Sequence, residues 1–239
     1  MLLIKRKDIN LLMESSIVQK QAVKVYNKSA KQSPLKLYPS LELVRLEQIF
    51  FNKKKGKLLE VGFGSGCNTI HMLKCGYDVY GIDVASNALI RTSKRINKIK
   101  GIKKPKLQII SAQTNKLPFK DNTFDFVVAM SVLSLLGTEK NIKNLLKEIQ
   151  RVVKPNGKII IDINDQKSEF SEGKKMIKKN IFLNKAYNQT FDTVCLKNIK
   201  EFEKLINPYF EIIDTGFVAF SLFGREIKEF IISCINKKR

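Results

Sequence analysis

The chain has 239 residues, which suits one α/β domain carrying an extra layer or a small lid, because single domains usually hold about 100–200 residues and α/β folds extend to about 250. Apolar residues make up 44% of it, enough to bury a sizeable core, so collagen-like, disordered and disulfide-framework architectures are excluded. The formal net charge of +22 invites a nucleic-acid partner, yet it rests on 37 Lys against 7 Arg beside 28 Ile and 18 Asn, residue types that share AT-rich codons, whereas phosphate or base recognition favours the bidentate fork of Arg.

Met1-Leu2-Leu3-Ile4 before Lys5-Arg6-Lys7-Asp8 is too short an apolar run for a signal peptide, and nowhere do about 18 uncharged apolar residues follow one another. A cytoplasmic protein without a membrane segment is expected. From about Ile9 to Ala30, Leu12, Ile17, Val23 and Tyr26 recur at helical spacing, predicting an amphipathic helix that ends before Ser33-Pro34. A second helix is predicted over Leu41 to Phe51, so residues 1–52 form an N-terminal helical cap. Lys57-Leu58-Leu59-Glu60-Val61 then reads as a short buried strand stopped by glycines.

Strands and helices alternate from there. Helices are predicted over Thr69 to Lys74, Ser86 to Lys98 and Lys140 to Val153, and strands over Tyr77 to Ile82, Lys106 to Ile110, Phe124 to Ala129 and Lys158 to Ile163. Near-continuous apolar strands separated by amphipathic helices imply a parallel sheet covered on both faces. About 164–195 the chain turns polar and irregular, with Lys174-Lys175 and Lys178-Lys179, and reads as a surface insertion. Asn198-x-x-Glu201 has the pattern of a capping box opening a helix to about Ile206. Tyr209 to Val218 and Glu226 to Ile235 follow as strands joined through Gly224, an antiparallel hairpin at the sheet edge. Cys67, Cys75, Cys195 and Cys234 form no C-x-x-C and have no His nearby, the single histidine being His71, so no metal is expected.

The chemistry concentrates in Glu60-Val61-Gly62-Phe63-Gly64-Ser65-Gly66-Cys67. A glycine-rich turn between a buried strand and a helix lets backbone approach a ligand and aims helix N–H groups at it. The dinucleotide fingerprint G-x-G-x-x-G would need glycine at Cys67, and no Lys follows Gly66 as a phosphate-binding loop requires. At the end of the second strand Asp83 is placed to accept the hydroxyl protons of a ribose, with Val84 offering an apolar surface to an adenine ring.

Glu60-x-Gly62-x-Gly64-x-Gly66, Asp83, Leu117-Pro118-Phe119-Lys120-Asp121-Asn122-Thr123-Phe124-Asp125 and Arg151-Val152-Val153-Lys154-Pro155-Asn156-Gly157-Lys158 together resemble the seven-stranded, class I S-adenosylmethionine-dependent methyltransferases of the small-molecule type. The resemblance spans about Leu58 to Ile163. It implies a doubly wound, Rossmann-like α/β sheet of order 3-2-1-4-5-7-6 with strand 7 antiparallel, and makes residues 53–239 the methyltransferase domain. Carried over residue by residue, it implies that Glu60 reaches the methionine ammonium, that Gly62, Phe63, Gly64 and Gly66 line the carboxylate end, and that Asp83 and Val84 hold ribose and adenine. Ala112 and Gln113 would lie at the adenine, Gln113 standing where family members usually carry an Asp; Met130 and Ser131 would lie beside the methionine moiety. Ser134-Leu135 replaces the Glu-His pair frequent after strand 4, and no catalytic residue is assigned.

The implied cofactor is S-adenosylmethionine, leaving as S-adenosylhomocysteine, and the implied reaction is O- or N-methylation of a small-molecule acceptor. A sulfonium methyl is already activated, so the protein must chiefly align the acceptor and exclude water. Tyr26 and Tyr38 lie in the segment that could close over the site. The alternatives are an RNA methyltransferase and a non-catalytic S-adenosylmethionine-binding protein.

Overall fold

The computed structural model describes residues 20–33, 36–52, 55–112, 114–222 and 225–237. Its centre is a seven-stranded sheet in the order β3-β2-β1-β4-β5-β10-β9, formed by β1 (Lys57–Val61), β2 (Asp78–Asp83), β3 (Lys106–Ile109), β4 (Phe124–Ala129), β5 (Val153–Asn164), β9 (Phe210–Leu222) and β10 (Arg225–Asn236). The strands from β3 to β5 run parallel, while β10 lies antiparallel between β5 and β9, with Phe230 opposite Ile163 and Phe217. This is the order anticipated from the resemblance, with β10 and β9 in the places of its strands 7 and 6. Gly224, through which the hairpin was expected to be joined, and the 9–19 part of the first predicted helix lie outside the described residues.

Successive residues of each central strand point to opposite faces, and both faces are buried, which is why these strands read as unbroken apolar runs. Leu59, Val127, Ile159 and Ile161 pack with α5 (Glu139–Val152) and α6 (Ile199–Ile206), whereas Leu58, Phe126, Val128 and Ile160 pack with α2 (Leu41–Leu46) and α3 (Cys67–Lys74). In α5, Ile142, Leu146, Ile149 and Val152 fall on one stripe and are fully buried, each stabilising the fold by about 1.5–3 kcal/mol. The Thr138 hydroxyl caps that helix by accepting the Asn141 N–H at 3.2 Å, and the Asn198 side chain caps α6 by accepting the Glu201 N–H at 3.1 Å.

Two stretches depart from expectation. Helix α2 continues into a π-helical turn over Glu47–Phe51, ended by Asn52 in the left-handed region at φ 55°. The stretch read as irregular instead folds into a three-stranded antiparallel sheet of β6 (Lys175–Lys178), β7 (Ile181–Ala186) and β8 (Gln189–Val194). Its β7–β8 turn is Tyr187-Asn188, with φ 50° and 60°, positive values at both central positions as a type I′ turn requires. The helix over residues 20–32, α1, lies across α4 (Ser86–Ile96) and this small sheet.

Candidate active site

β1 and β4 are neighbours in the sheet but their helical connections leave to opposite faces, so a crevice opens beyond their carboxyl ends. The turn after β1 enters it. Gly62 has φ +75° and a Cβ there would lie 2.4 Å from Val132 Cγ2; at Gly66, with φ +76°, it would lie 2.5 Å from Thr92 Cγ2. Both positions thus need glycine for backbone conformation and for space. The turn is tied down by Gly62 N–H to Ile82 O at 2.7 Å, by the Thr92 hydroxyl to Gly64 O at 2.9 Å, and by Arg95 donating to Ser65 O.

Glu60 shares the β1 face of Leu58 and is buried, its Oε2 accepting from the Thr69 hydroxyl of α3. Burial pushes its carboxyl up to about 8, the Asp83 charge adding and the Thr69 hydrogen bond opposing. Asp83 ends β2 with both oxygens engaged: Oδ2 accepts the Gly64 N–H and Oδ1 the Ala85 N–H, each at 2.8 Å. Burial raises this carboxyl too, against those backbone bonds.

A cavity of about 1170 Å³ gathers these groups. Of the residues singled out from sequence, Glu60, Gly62, Phe63, Gly64, Asp83, Val84, Ala112, Met130 and Ser131 line it. Gly66 does not: it is the N-cap of α3, facing Thr92. Gln113 lies outside the described residues. Ser131 takes φ 56° and donates its N–H to Asp162 Oδ1 at 2.6 Å. Asp162 is buried, its Oδ2 has no hydrogen-bond partner among the described residues, and burial together with the Glu229 charge raises its carboxyl well above the usual range. Ser134 is structural, its buried hydroxyl accepting the Asn164 N–H at 2.8 Å, while Leu135 faces the cavity.

The N-terminal segment expected to close over the site, with Tyr26 and Tyr38, does line the cavity, while Ala22, Val23, Ser29 and Ala30 of α1, together with Asn68 and Asn141, line it without having been singled out for the site from sequence. The Tyr26 hydroxyl donates to Leu135 O at 3.0 Å, and its ring meets Phe191 of β8 edge-on at 6.2 Å. Arg91 of α4 donates to Ala30 O at 2.9 Å and Ser33 O at 2.8 Å, closing the C-terminal carbonyls of α1. Asn27 joins the same contact through Ser86 and Asn87. The Leu117 to Asp121 loop is held from α5 by Arg151, which donates to Leu117 O, Phe119 O and Asp121. Tyr38 is largely exposed.

His71 does not line the cavity, and it is not without a cysteine neighbour, as its place in the sequence had suggested. It lies one helical turn from Cys75 on α3, with Nε2 3.6 Å from Sγ. All four cysteines are free.

Residues 59–161 match the family model described as a methyltransferase domain. The chain is 36% identical over 104 residues to a sterol 4-C-methyltransferase of Caenorhabditis elegans, covering 43% of this chain and 29% of that protein. It is 33% identical over 111 residues to a demethylmenaquinone methyltransferase of Bacillus mycoides, covering 45% and 44%. The aligned part thus spans less than half the length of either relative. Among solved structures, a S-adenosylmethionine-dependent methyltransferase of Methanosarcina mazei superposes with a TM-score of 0.69 at 22% identity, over 80% of this chain and 98% of that one. The N-methyltransferase NodS of Bradyrhizobium japonicum, in complex with S-adenosyl-L-homocysteine, superposes with a TM-score of 0.60 at 11% identity, over 90% and 100%.

Proposed function

We propose, from a chain whose domain at residues 59–161 belongs to the class I S-adenosylmethionine-dependent methyltransferases, that it transfers a methyl group from S-adenosylmethionine to a small-molecule acceptor at oxygen or nitrogen. One observation carries this reading: a single cavity joins the Glu60, glycine-turn and Asp83 end to a roof made by α1 and Leu135, with volume for a nucleoside and a second molecule.

The residues present fit the cofactor. Asp83 spends one lone pair of each oxygen on backbone N–H groups and keeps others for ribose hydroxyls. Val84 and Ala112 give apolar surface for the adenine, and Gln113 remains the residue assigned to its amino group. Glu60 accepts from the ammonium, which favours its charged form, and the Thr69 hydrogen bond holds the carboxylate in place. Gly62, Phe63 and Gly64 border the carboxylate end, and Met130 and Ser131 the methionine chain. The bound group supplies a methyl already activated on a sulfonium. What remains for the protein is to orient the acceptor and keep water out, which falls to Tyr26, Leu135 and the α1 face.

The relatives named for a sterol and for demethylmenaquinone support a small-molecule acceptor. Among the described residues no helix is long and apolar enough to cross a membrane. The test offers the protein labelled S-adenosylmethionine together with a metabolite extract and with whole-cell RNA. Label is expected in the small-molecule fraction. Label concentrated at one nucleotide of RNA and persisting in moderate salt would overturn the acceptor class, since non-specific phosphate contacts weaken by about 10³–10⁵ between 50 and 200 mM salt.

A further inference from the structure

Toward the C-terminal end of α3, outside the cavity, three side chains of metal-binding type converge. His71 and Cys75 stand four residues apart and so share one helix face, with Nε2 and Sγ separated by 3.6 Å. Zinc bonds of about 2.0 Å to nitrogen and about 2.3 Å to sulfur, meeting at the tetrahedral angle, set those two atoms about 3.5 Å apart, close to the spacing here. Glu47, on the π-helical turn after α2, completes the group, and the three ligand atoms lie within 4.8 Å of one another.

Glu47 is the telling member. It is 2% exposed, its Oε1 accepts from the Tyr77 hydroxyl at 2.8 Å, and among the described residues no Lys or Arg forms an ion pair with it. A buried carboxylate ordinarily has a cationic partner or coordinates a metal. Beyond the Tyr77 hydroxyl, the titratable groups grouped with it are a histidine and a thiol. The π-helical turn that brings Glu47 inward is itself a backbone form enriched at functional sites. His71 and Cys75 are each partly exposed, which leaves a path for an ion and a place for a water as fourth ligand. None of the three lines the cofactor cavity.

We propose that Glu47, His71 and Cys75 bind a divalent transition-metal ion of the zinc type, with one carboxylate oxygen, Nε2 and Sγ as ligands. The donor set of oxygen, nitrogen and sulfur and the tetrahedral spacing match zinc. On binding, the Cys75 thiol releases its proton to solvent and no electron moves. The Tyr77 hydroxyl orients the ligating carboxylate from behind. The ion would clamp the turn after α2 onto α3.

Cobalt(II) added to the chelator-washed full chain is the direct probe, because a thiolate ligand gives a charge-transfer absorption. One cobalt per chain is expected, with a band that Cys75→Ser abolishes, Cys67→Ser retains and zinc displaces. Zinc should raise the melting temperature of the wild type, and Glu47→Gln and His71→Ala should each weaken zinc at least tenfold. Circular dichroism of the metal-free variants guards against misfolding, and the half-exposed His71 offers His71→Asn as a milder change. Absence of the band, a band surviving Cys75→Ser, or equal zinc affinity in wild type and His71→Asn would overturn the assignment. None of these readouts involves S-adenosylmethionine or methyl transfer.

Discussion

The Asp83 carboxylate accepts the Gly64 N–H at 2.8 Å, so the end of β2 is tied to the glycine turn that follows β1. Asp83 also lines the cavity, so on the proposed reading it would serve both the turn and a ribose. Asp83→Asn can still accept on one oxygen, but its NH₂ faces a backbone N–H on the other. Cofactor affinity is expected to fall tenfold or more, because each charge-assisted bond contributes about 1.5–3 kcal/mol. The melting temperature of the cofactor-free protein should fall as well. Calorimetry and a thermal melt check both, and unchanged affinity would remove Asp83 from the site.

Glu60 makes the cofactor-free fold pH-sensitive. With its carboxyl raised from 4.5 to about 8, the folded chain keeps a proton that the unfolded chain has released, so stability declines as pH rises across that window and is flat above it. Asp83, Asp162 and Glu229 are raised as well and act with the same sign. The contribution of Glu60 is therefore the difference between wild type and Glu60→Gln. Melting temperatures of the two are expected to diverge progressively with pH, the variant losing less.

Gly62 and Val132 should be energetically coupled. Gly62→Ala places a methyl 2.4 Å from Val132 Cγ2 in a backbone at φ +75°, and overpacking of this kind costs about 1–3 kcal/mol. Val132→Ala removes the obstructing atom and leaves the backbone cost alone. In denaturant titrations the double variant should lose at least about 0.5 kcal/mol less than the sum of the single ones. Strict additivity would mean that the two side chains do not meet.

The roof is expected to open without the sheet melting. Arg91→Ala removes two charge-assisted bonds to Ala30 O and Ser33 O, and Tyr26→Phe removes the bond to Leu135 O, worth about 0.5–1.5 kcal/mol by itself. Since about 1.4 kcal/mol is tenfold in an opening equilibrium, limited proteolysis within residues 20–33 should accelerate about a hundredfold or more in Arg91→Ala and about tenfold or less in Tyr26→Phe. Equal cleavage rates in all three proteins would place the restraint elsewhere.

The cofactor end of the molecule was legible because its chemistry is local. Glycine spacing, a carboxylate two residues before the first glycine and another ending the next strand are written within about two dozen positions, and helices α3 to α6 announce themselves by period and caps. The order of the strands came from resemblance, since pairing across a sheet leaves no local trace. The small sheet β6 to β8 escaped notice because Lys175–Lys178 is exposed on every residue, giving no alternation, and because its turn uses Tyr187-Asn188 where glycine is the usual signal. The roof was legible only as a segment, the one carrying Tyr26 and Tyr38, and not in its contacts. Tyr26 meets residues 109 and 165 positions away, and nothing near it in sequence indicates them. The His71–Cys75 pair was readable as two ligands one turn apart, but a search for paired cysteines passes over it, and Glu47 joins only through the π-helical turn.

Helix α1 is fastened largely through main-chain oxygens: Leu135 O receives Tyr26, and Ala30 O and Ser33 O receive Arg91. A carbonyl is present whatever side chain its residue bears. Val23 and Ser29, which line the cavity and are only partly buried, can therefore be exchanged with those main-chain bonds preserved, whereas Ala22 is buried against Val25 and Phe191 and admits no charge. Acceptor preference and cofactor grip become separately mutable traits, so a lineage could acquire a new acceptor by a few substitutions on one helical face without passing through a form that has lost its methyl donor.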